Sequence, residues 1–147
     1  MEKRIFIQEN NFEKARKKIR ENKGKKIIFS SESDELNRKI LEKEEIDVLL
    51  LNLTERKDRM KQRDSGLNHV LSKIAKKKNI KIGINLNEIL DSNGKRKSDL
   101  LSRLRQNIKL ANKNKLKMEF LDSKVNRQDS KALGLVLGMP TQMLKNI

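Results

Sequence analysis

DVLLLNLTERKDRMKQRDSGLNHVLSKIAKKKNIKIGINL, residues Asp47–Leu86, is the stretch that decides the fold. It opens with Asp47–Leu51, a continuous apolar run of the kind buried on both faces of a parallel sheet. A polar and mostly charged connection, Asn52–Asp64, follows. Ser65 then offers an N-cap for a helix whose apolar face is Leu67, Val70, Leu71 and Ile74, spaced i, i+3, i+4, i+7. Ile80–Leu86 alternates as a second strand. Strand, amphipathic helix and strand in this order make a βαβ unit, whose crossover is right-handed.

The same alternation extends to both sides. Arg4–Gln8 is a candidate strand. Phe12, Ala15 and Ile19 recur at helical spacing until Gly24. Ile27–Ser30 is a strand, and Leu36, Ile40 and Leu41 mark one face of a helix. Downstream, Asp91–Gly94 reads as a turn, and Ser98 as the N-cap of a helix through Lys113. Met118–Leu121 is a fifth strand, and a last helix spans Asp129–Leu137, stopped by Gly138 and Pro140. The expected architecture is α/β, built of parallel βα units. Five strands are too few for a closed eight-stranded barrel, so the sheet is either open or an incomplete, TIM-barrel-like one. No internal repeat and no boundary interrupts the pattern, and residues 1–147 read as a single domain.

Composition narrows the partner. Lys and Arg number 36 against 20 Asp and Glu, a net charge of +16, which draws polyanions to the surface. With 25 Lys and 15 Asn, part of that charge also fits a Lys- and Asn-rich coding bias, so position carries more weight than total. No Cys is present, which excludes disulfides, thiolate metal sites and Cys nucleophiles. No run approaches a membrane span, and the start Met1-Glu2-Lys3-Arg4 does not lead into a signal-peptide core. A cytoplasmic protein with no membrane partner is the expectation.

Catalytic groups are sparse. His69 is the single His, placed one residue before the expected core residue Val70. One imidazole does not make the His and carboxylate cluster of a metallohydrolase, and a packing or hydrogen-bonding role suits it better. The six Gly form neither GxGxxG nor GxxxxGK[ST]. No catalytic constellation and no metal site are marked.

The basic residues, by contrast, cluster. Glu55–Arg63 holds Arg56, Lys57, Arg59, Lys61 and Arg63 against two acids, after a strand, where α/β folds place binding loops. Arg outnumbers Lys there, against the trend of the chain, and Arg presents a planar fork to phosphate. Lys95–Lys117 holds nine basic residues and one acid, Asp99. On its helix Arg105, Lys109 and Lys113 succeed one another at i+4, while Leu100, Leu101, Leu104, Ile108 and Ala111 form the buried side. Arg96 and Lys97 sit just before that helix. Lys76–Lys78 ends the preceding helix, where cations suit the helix dipole, and is read as structural. The four Phe fall at apolar positions and look like core, so recognition should run through phosphates and helical shape.

Several of these segments resemble a known family. Glu55–Ala75, Ile80–Asn87, Leu101–Leu110, Lys117–Ser123 and Ala132–Met139 are similar to the corresponding segments of archaeal ribonuclease P protein component 3, with Arg63-Asp-Ser-Gly-Leu-Asn68 the most specific. The resemblance covers roughly residues 47–140 and implies a barrel of parallel strands and helices related to the polymerase-and-histidinol-phosphatase hydrolases, with the metal ligands lost. It implies an RNA-binding subunit that supports RNA-catalysed 5′-leader removal from precursor tRNA. The implied partners are ribonuclease P RNA and ribonuclease P protein component 2, with precursor tRNA met indirectly. No cofactor is expected on the chain itself, and Mg²⁺ is expected for the holoenzyme RNA. By resemblance Arg56, Lys57, Arg63, Arg103 and Arg105 are RNA-contact candidates, to which the basic clusters add Arg59, Lys61, Arg96, Lys109 and Lys113. Asn68 and Asn85 match motif positions read as structural. Family members are usually longer, so early strand–helix units are expected to be missing and the barrel open, and the segment after Ser123 is shortened. The alternative is a metal-dependent nuclease or phosphatase of the related hydrolase fold, which would need metal ligands.

Overall fold

The computed structural model describes residues 3–54, 56, 64–121, 126–145 and 147. Five strands form one sheet: β1 (Arg4–Gln8), β2 (Lys26–Ser30), β3 (Val48–Leu51), β4 (Lys81–Asn85) and β5 (Met118–Leu121). They lie side by side in chain order, every neighbouring pair parallel. Between them run α1 (Phe12–Glu21), α2 (Asp34–Lys43), α3 (His69–Lys77), α4 (Leu86–Asp91) and α5 (Gly94–Lys113), and α6 (Arg127–Val136) and α7 (Thr141–Leu144) follow. Right-handed crossovers that all step the same way leave the connecting helices on one face. This is the winding of a barrel, not of a doubly wound sheet whose strand order reverses.

Alternation along the strands sorts the two faces. Ile7, Ile27, Phe29, Leu49, Leu51, Ile82, Ile84 and Met118 belong to one large core with helix residues such as Ala15, Ile40, Leu71, Leu104 and Ile108. The opposite face carries a smaller cluster, Ile28, Val48, Leu50 and Leu121. Gly83 lies among those four, where an added Cβ would come within 2.7 Å of Leu121 Cδ1 and 2.9 Å of Val48 Cγ1. The smaller cluster lines the hollow of a curled sheet. Lys26 Nζ on β2 reaches Glu119 Oε1 on β5 at 2.8 Å, with both side chains largely buried. Those strands are three steps apart, about 14 Å on a flat sheet. The sheet is therefore an open portion of a barrel wall.

Four local expectations need correction. Helix α3 begins at His69, because the Asn68 side chain accepts the Leu71 N–H at 2.9 Å and is the N-cap. That phase turns Leu71, Ser72 and Ala75 inward and leaves Val70 49% exposed, while Ser65 is buried ahead of the helix. Helix α5 starts at Gly94, with Asn93 as N-cap and Ser98 inside the helix. Leu86–Asp91 forms the short helix α4, capped by Asn85 through Asn87 N–H. Finally, Phe6 is 48% exposed, because β1 is an edge strand and its hollow-facing side has no covering layer among the described residues.

Candidate nucleic-acid interface

The loop that leaves β3 is held from three sides. Glu88, at the start of α4, accepts the backbone N–H groups of Leu53 and Thr54 and the Thr54 hydroxyl, at 2.6–3.1 Å. Arg103 on α5 is buried and donates Nη1 to Leu53 O at 2.8 Å and Nη2 to Arg56 O at 2.7 Å. Arg56 donates Nε to Asn52 O at 2.8 Å and both terminal nitrogens to the Asp34 carboxylate at 3.0 Å, a bidentate fork against α2. Its Nη1 also meets Asp64 Oδ1 at 3.0 Å. Burial works against the Arg56 charge, but hydrogen bonds and attraction from Asp34, with Asp64 adding to them, outweigh it and hold its pKa above the usual guanidinium value.

The return of the loop is fixed as firmly. Gly66 adopts φ +77, and an added Cβ would lie 2.5 Å from Arg56 Nη2. Gln106 Nε2 donates to Ser65 Oγ at 3.0 Å, and Asn107 Nδ2 to Ser65 O at 3.1 Å. The segment Asp64–Asn68 is thus a latch: one residue receives Arg56, one makes room for it, one is gripped by α5, and one caps α3. Asn68 and Asn85 both serve as helix caps, in keeping with their structural reading.

The predicted contact residues divide accordingly. Arg56 and Arg103 have their donors turned into the fold, with the Arg56 side chain 11% exposed and Arg103 5% exposed. Lys57, Arg59, Lys61 and Arg63 lie outside the described residues. Arg96, Arg105, Lys109 and Lys113 all stand exposed on α5. The buried side of α5 is Leu100, Arg103, Leu104, Asn107, Ile108 and Ala111, so the i+4 row Arg105, Lys109, Lys113 faces solvent along its length. Each step of that row rises about 6 Å. The sequence missed the clamp partners: nothing around Glu88 or Asp34 marks a partner far along the chain.

A metal site would sit where the strands end, as in parallel barrels. There the hollow-facing positions are neutral: Asn52 Nδ2 donates to Ser30 Oγ at 3.0 Å, and Asn85 Nδ2 approaches Asn52 Oδ1 at 3.5 Å. Among the described residues no three of His, Cys, Asp and Glu gather in a group able to hold a metal ion. His69 is exposed at the start of α3. Among those residues, too, no helix is long and apolar enough to cross a membrane.

Comparison with known proteins follows the same lines. A family described as RNase P subunit p30 matches residues 32–118. Ribonuclease P protein component 3 of Methanococcus maripaludis strain C7 is 32% identical over 105 residues, which is 71% of this chain and 42% of that protein. The protein of the same name from Methanosarcina acetivorans is 38% identical over 87 residues, 59% of this chain and 34% of that one. The chain thus spans less than half the length of the curated relatives it matches. A chain from a cryo-EM structure of archaeal ribonuclease P with mature tRNA superposes with a TM-score of 0.79 at 24% identity, covering 98% of this chain and 63% of that one. That likeness establishes the barrel-type fold.

Proposed function

The chain belongs to the RNase P subunit p30 family, and we propose that it is an RNA-binding subunit of ribonuclease P that supports removal of the 5′ leader from precursor tRNA. The RNA supplies catalysis and takes the Mg²⁺, and the chain contributes positive charge at fixed positions. Ribonuclease P RNA and ribonuclease P protein component 2 are its partners in this reading, and precursor tRNA is met through the RNA. The observation that carries it is the exposed row Arg105, Lys109, Lys113 on α5, backed by a buried face that fixes the helix against the sheet. Like charges at i+4 disfavour an isolated helix, and a bound phosphate backbone relieves that repulsion. The latch residues Arg56 and Arg103 act behind the surface, by setting where the basic segment 57–63 leaves and returns.

The test is reconstitution. Cognate ribonuclease P RNA and the other protein subunits are assayed for precursor-tRNA cleavage at limiting Mg²⁺, with and without this chain. Stimulated cleavage at the mature 5′ end is expected. Arg105→Gln with Lys109→Gln should reduce the salt slope of RNA binding by about 0.9 for each lost phosphate contact. A folded chain that gives no stimulation overturns the reading.

A further inference from the structure

Parallel strands in chain order bring every helix-to-strand turn to one pole, the end where the strands begin. Three of those turns are basic: Lys23 and Lys25 before β2, Lys76, Lys77 and Lys78 before β4, and Lys115 and Lys117 before β5. The fourth, before β3, is acidic: Glu44, Glu45 and Asp47 share with Lys23, Lys25, Lys43 and Lys78 the lining of a cavity of about 830 Å³. Lys78 Nζ donates to Leu41 O and Glu44 O, so the free positive charge of the pole lies with the other lysines. The Ile82 N–H donates to Lys117 O at 3.0 Å and joins the β5 turn to the start of β4. Helix dipoles account for part of this charge, since Lys76, Lys77 and Lys113 lie in last helical turns. They account less well for Lys25 and Lys117, three residues past the C-caps Asn22 and Asn114, while Lys23 and Lys115 directly follow those caps and must be judged on other grounds.

Lys115 separates the two explanations. The ends of α3 and α5 close by the same hydrogen bonds: Ile80 N–H to Ala75 O and Leu116 N–H to Ala111 O, both 2.8 Å. In each, the residue past the C-cap is left-handed at φ 56. After α3 that residue is Asn79, a type that adopts this conformation readily; after α5 it is Lys115, for which it is strained. Structure alone favours Gly or Asn at both. Lys115 is exposed two residues past Lys113, where the row Arg105, Lys109, Lys113 reaches the pole.

We propose that this pole, centred on Lys115 and Lys117 and continuous with the α5 row, is a phosphate-binding surface for double-helical RNA. The inference rests on the RNA-binding reading above and adds the surface and the form of the RNA. Duplex suits the site because recognition of single strands relies on aromatic platforms. Of the four Phe, Phe29 is buried, Phe120 is partly buried against the core, Phe6 is on the strand face, and Phe12 has Arg16, Lys39 and Lys43 about its ring.

The full chain is titrated with a short A-form RNA duplex over a range of salt, alongside thermal melts and anionic phospholipid vesicles. Lys115→Asn should melt at or above the parent and yet bind the duplex more weakly, its salt slope smaller by about 0.9. Adding Lys117→Gln should bring the reduction to about 1.8. Unchanged slopes in both variants, while Arg105→Gln with Lys109→Gln lowers the slope, would sink the pole and leave the α5 reading standing. Failure of the parent to bind any duplex would remove both. Binding to vesicles in place of duplex, lost in Lys115→Asn, would make the pole a membrane surface and overturn the proposal. A Lys115→Asn chain that melts lower than the parent would return Lys115 to a structural role.

Discussion

Arg56 and Arg103 look like Arg105 in the sequence and do different work from it: Arg105 stands on the exposed face of α5, and they turn into the fold. A guanidinium has five N–H donors in a fixed fork. At Arg56 the Asp34 and Asp64 carboxylates and the Asn52 carbonyl draw on them, and at Arg103 two backbone carbonyls do. Because the Arg56 pKa is raised, the group is charged in the folded state throughout the accessible pH range. Its contribution would be lost only as pH rose through that raised value. Geometry is therefore the variable to test. Gly66→Ala forces a Cβ onto a left-handed backbone and against the Arg56 fork. It should destabilise by about 1–2 kcal/mol from the backbone alone, with the displaced guanidinium adding to it. Arg103→Lys keeps the charge but replaces the fork with a single ammonium, and should cost roughly 1–3 kcal/mol in urea unfolding. Stability within error of the parent in both variants would mean that the latch does not hold the loop.

Helix ends show which elements the sequence specifies strongly. The Asn68 side chain accepts Leu71 N–H at 2.9 Å, whereas Asn93 makes no side-chain cap bond. Asn68→Ala should therefore cost about 1 kcal/mol and Asn93→Ala only a few tenths, measured by the same unfolding curves. Equal losses would mean that the backbone, not the Asn68 amide, sets the start of α3. The five strands and the helices α1, α2, α3 and α5 were legible because each contributes a periodic apolar face to the core, and α6 because Gly138 and Pro140 mark its end. Their starts were less so, since Ser65, Asn68, Asn93 and Ser98 are all acceptable caps and only tertiary packing selects among them. Val70 and Phe6 fit apolar periodicity and are exposed for that reason: a one-residue shift of phase at α3, and a bare hollow at β1. In the site, the α5 row was legible from its spacing. The inward turn of Arg56 and Arg103 was not, because Asp34 and the carbonyls of Leu53 and Arg56 reach them only through the fold. The basic pole was missed because its lysines are scattered between Lys23 and Lys117, and Lys76–Lys78 alone fits the dipole.

At the scale of the molecule, the parallel winding converts a local preference into a global one. The helices that connect the strands run from the end where strands finish to the end where they begin. Acids such as Glu13, Asp34, Glu35 and Glu88 gather in first turns, and cations such as Lys18, Arg20, Lys43 and Lys76 in last turns. That sorting is incomplete, since Glu44, Glu45 and Asp47 stand among the cations at the pole where strands begin. Helix α5 has no acid in its first turn and carries positive charge towards that pole. The curl of the sheet gives this body its hollow, and the Lys26–Glu119 bridge is a polar contact that spans it, beside the apolar cluster of Ile28, Val48, Leu50 and Leu121. The two side chains are 16% and 14% exposed, so each is largely withdrawn from water and relies on the other. Lys26→Met leaves the Glu119 charge without its bridge partner and should destabilise by about 3 kcal/mol. Lys26→Met combined with Glu119→Leu removes both charges and lines the hollow with apolar groups beside Ile28, Val48, Leu50 and Leu121. The double variant should recover most of that loss, as apolar replacement of buried pairs often does. A double variant less stable than either single would show that the bridge itself, and not the packing of the hollow, holds the sheet in its curve.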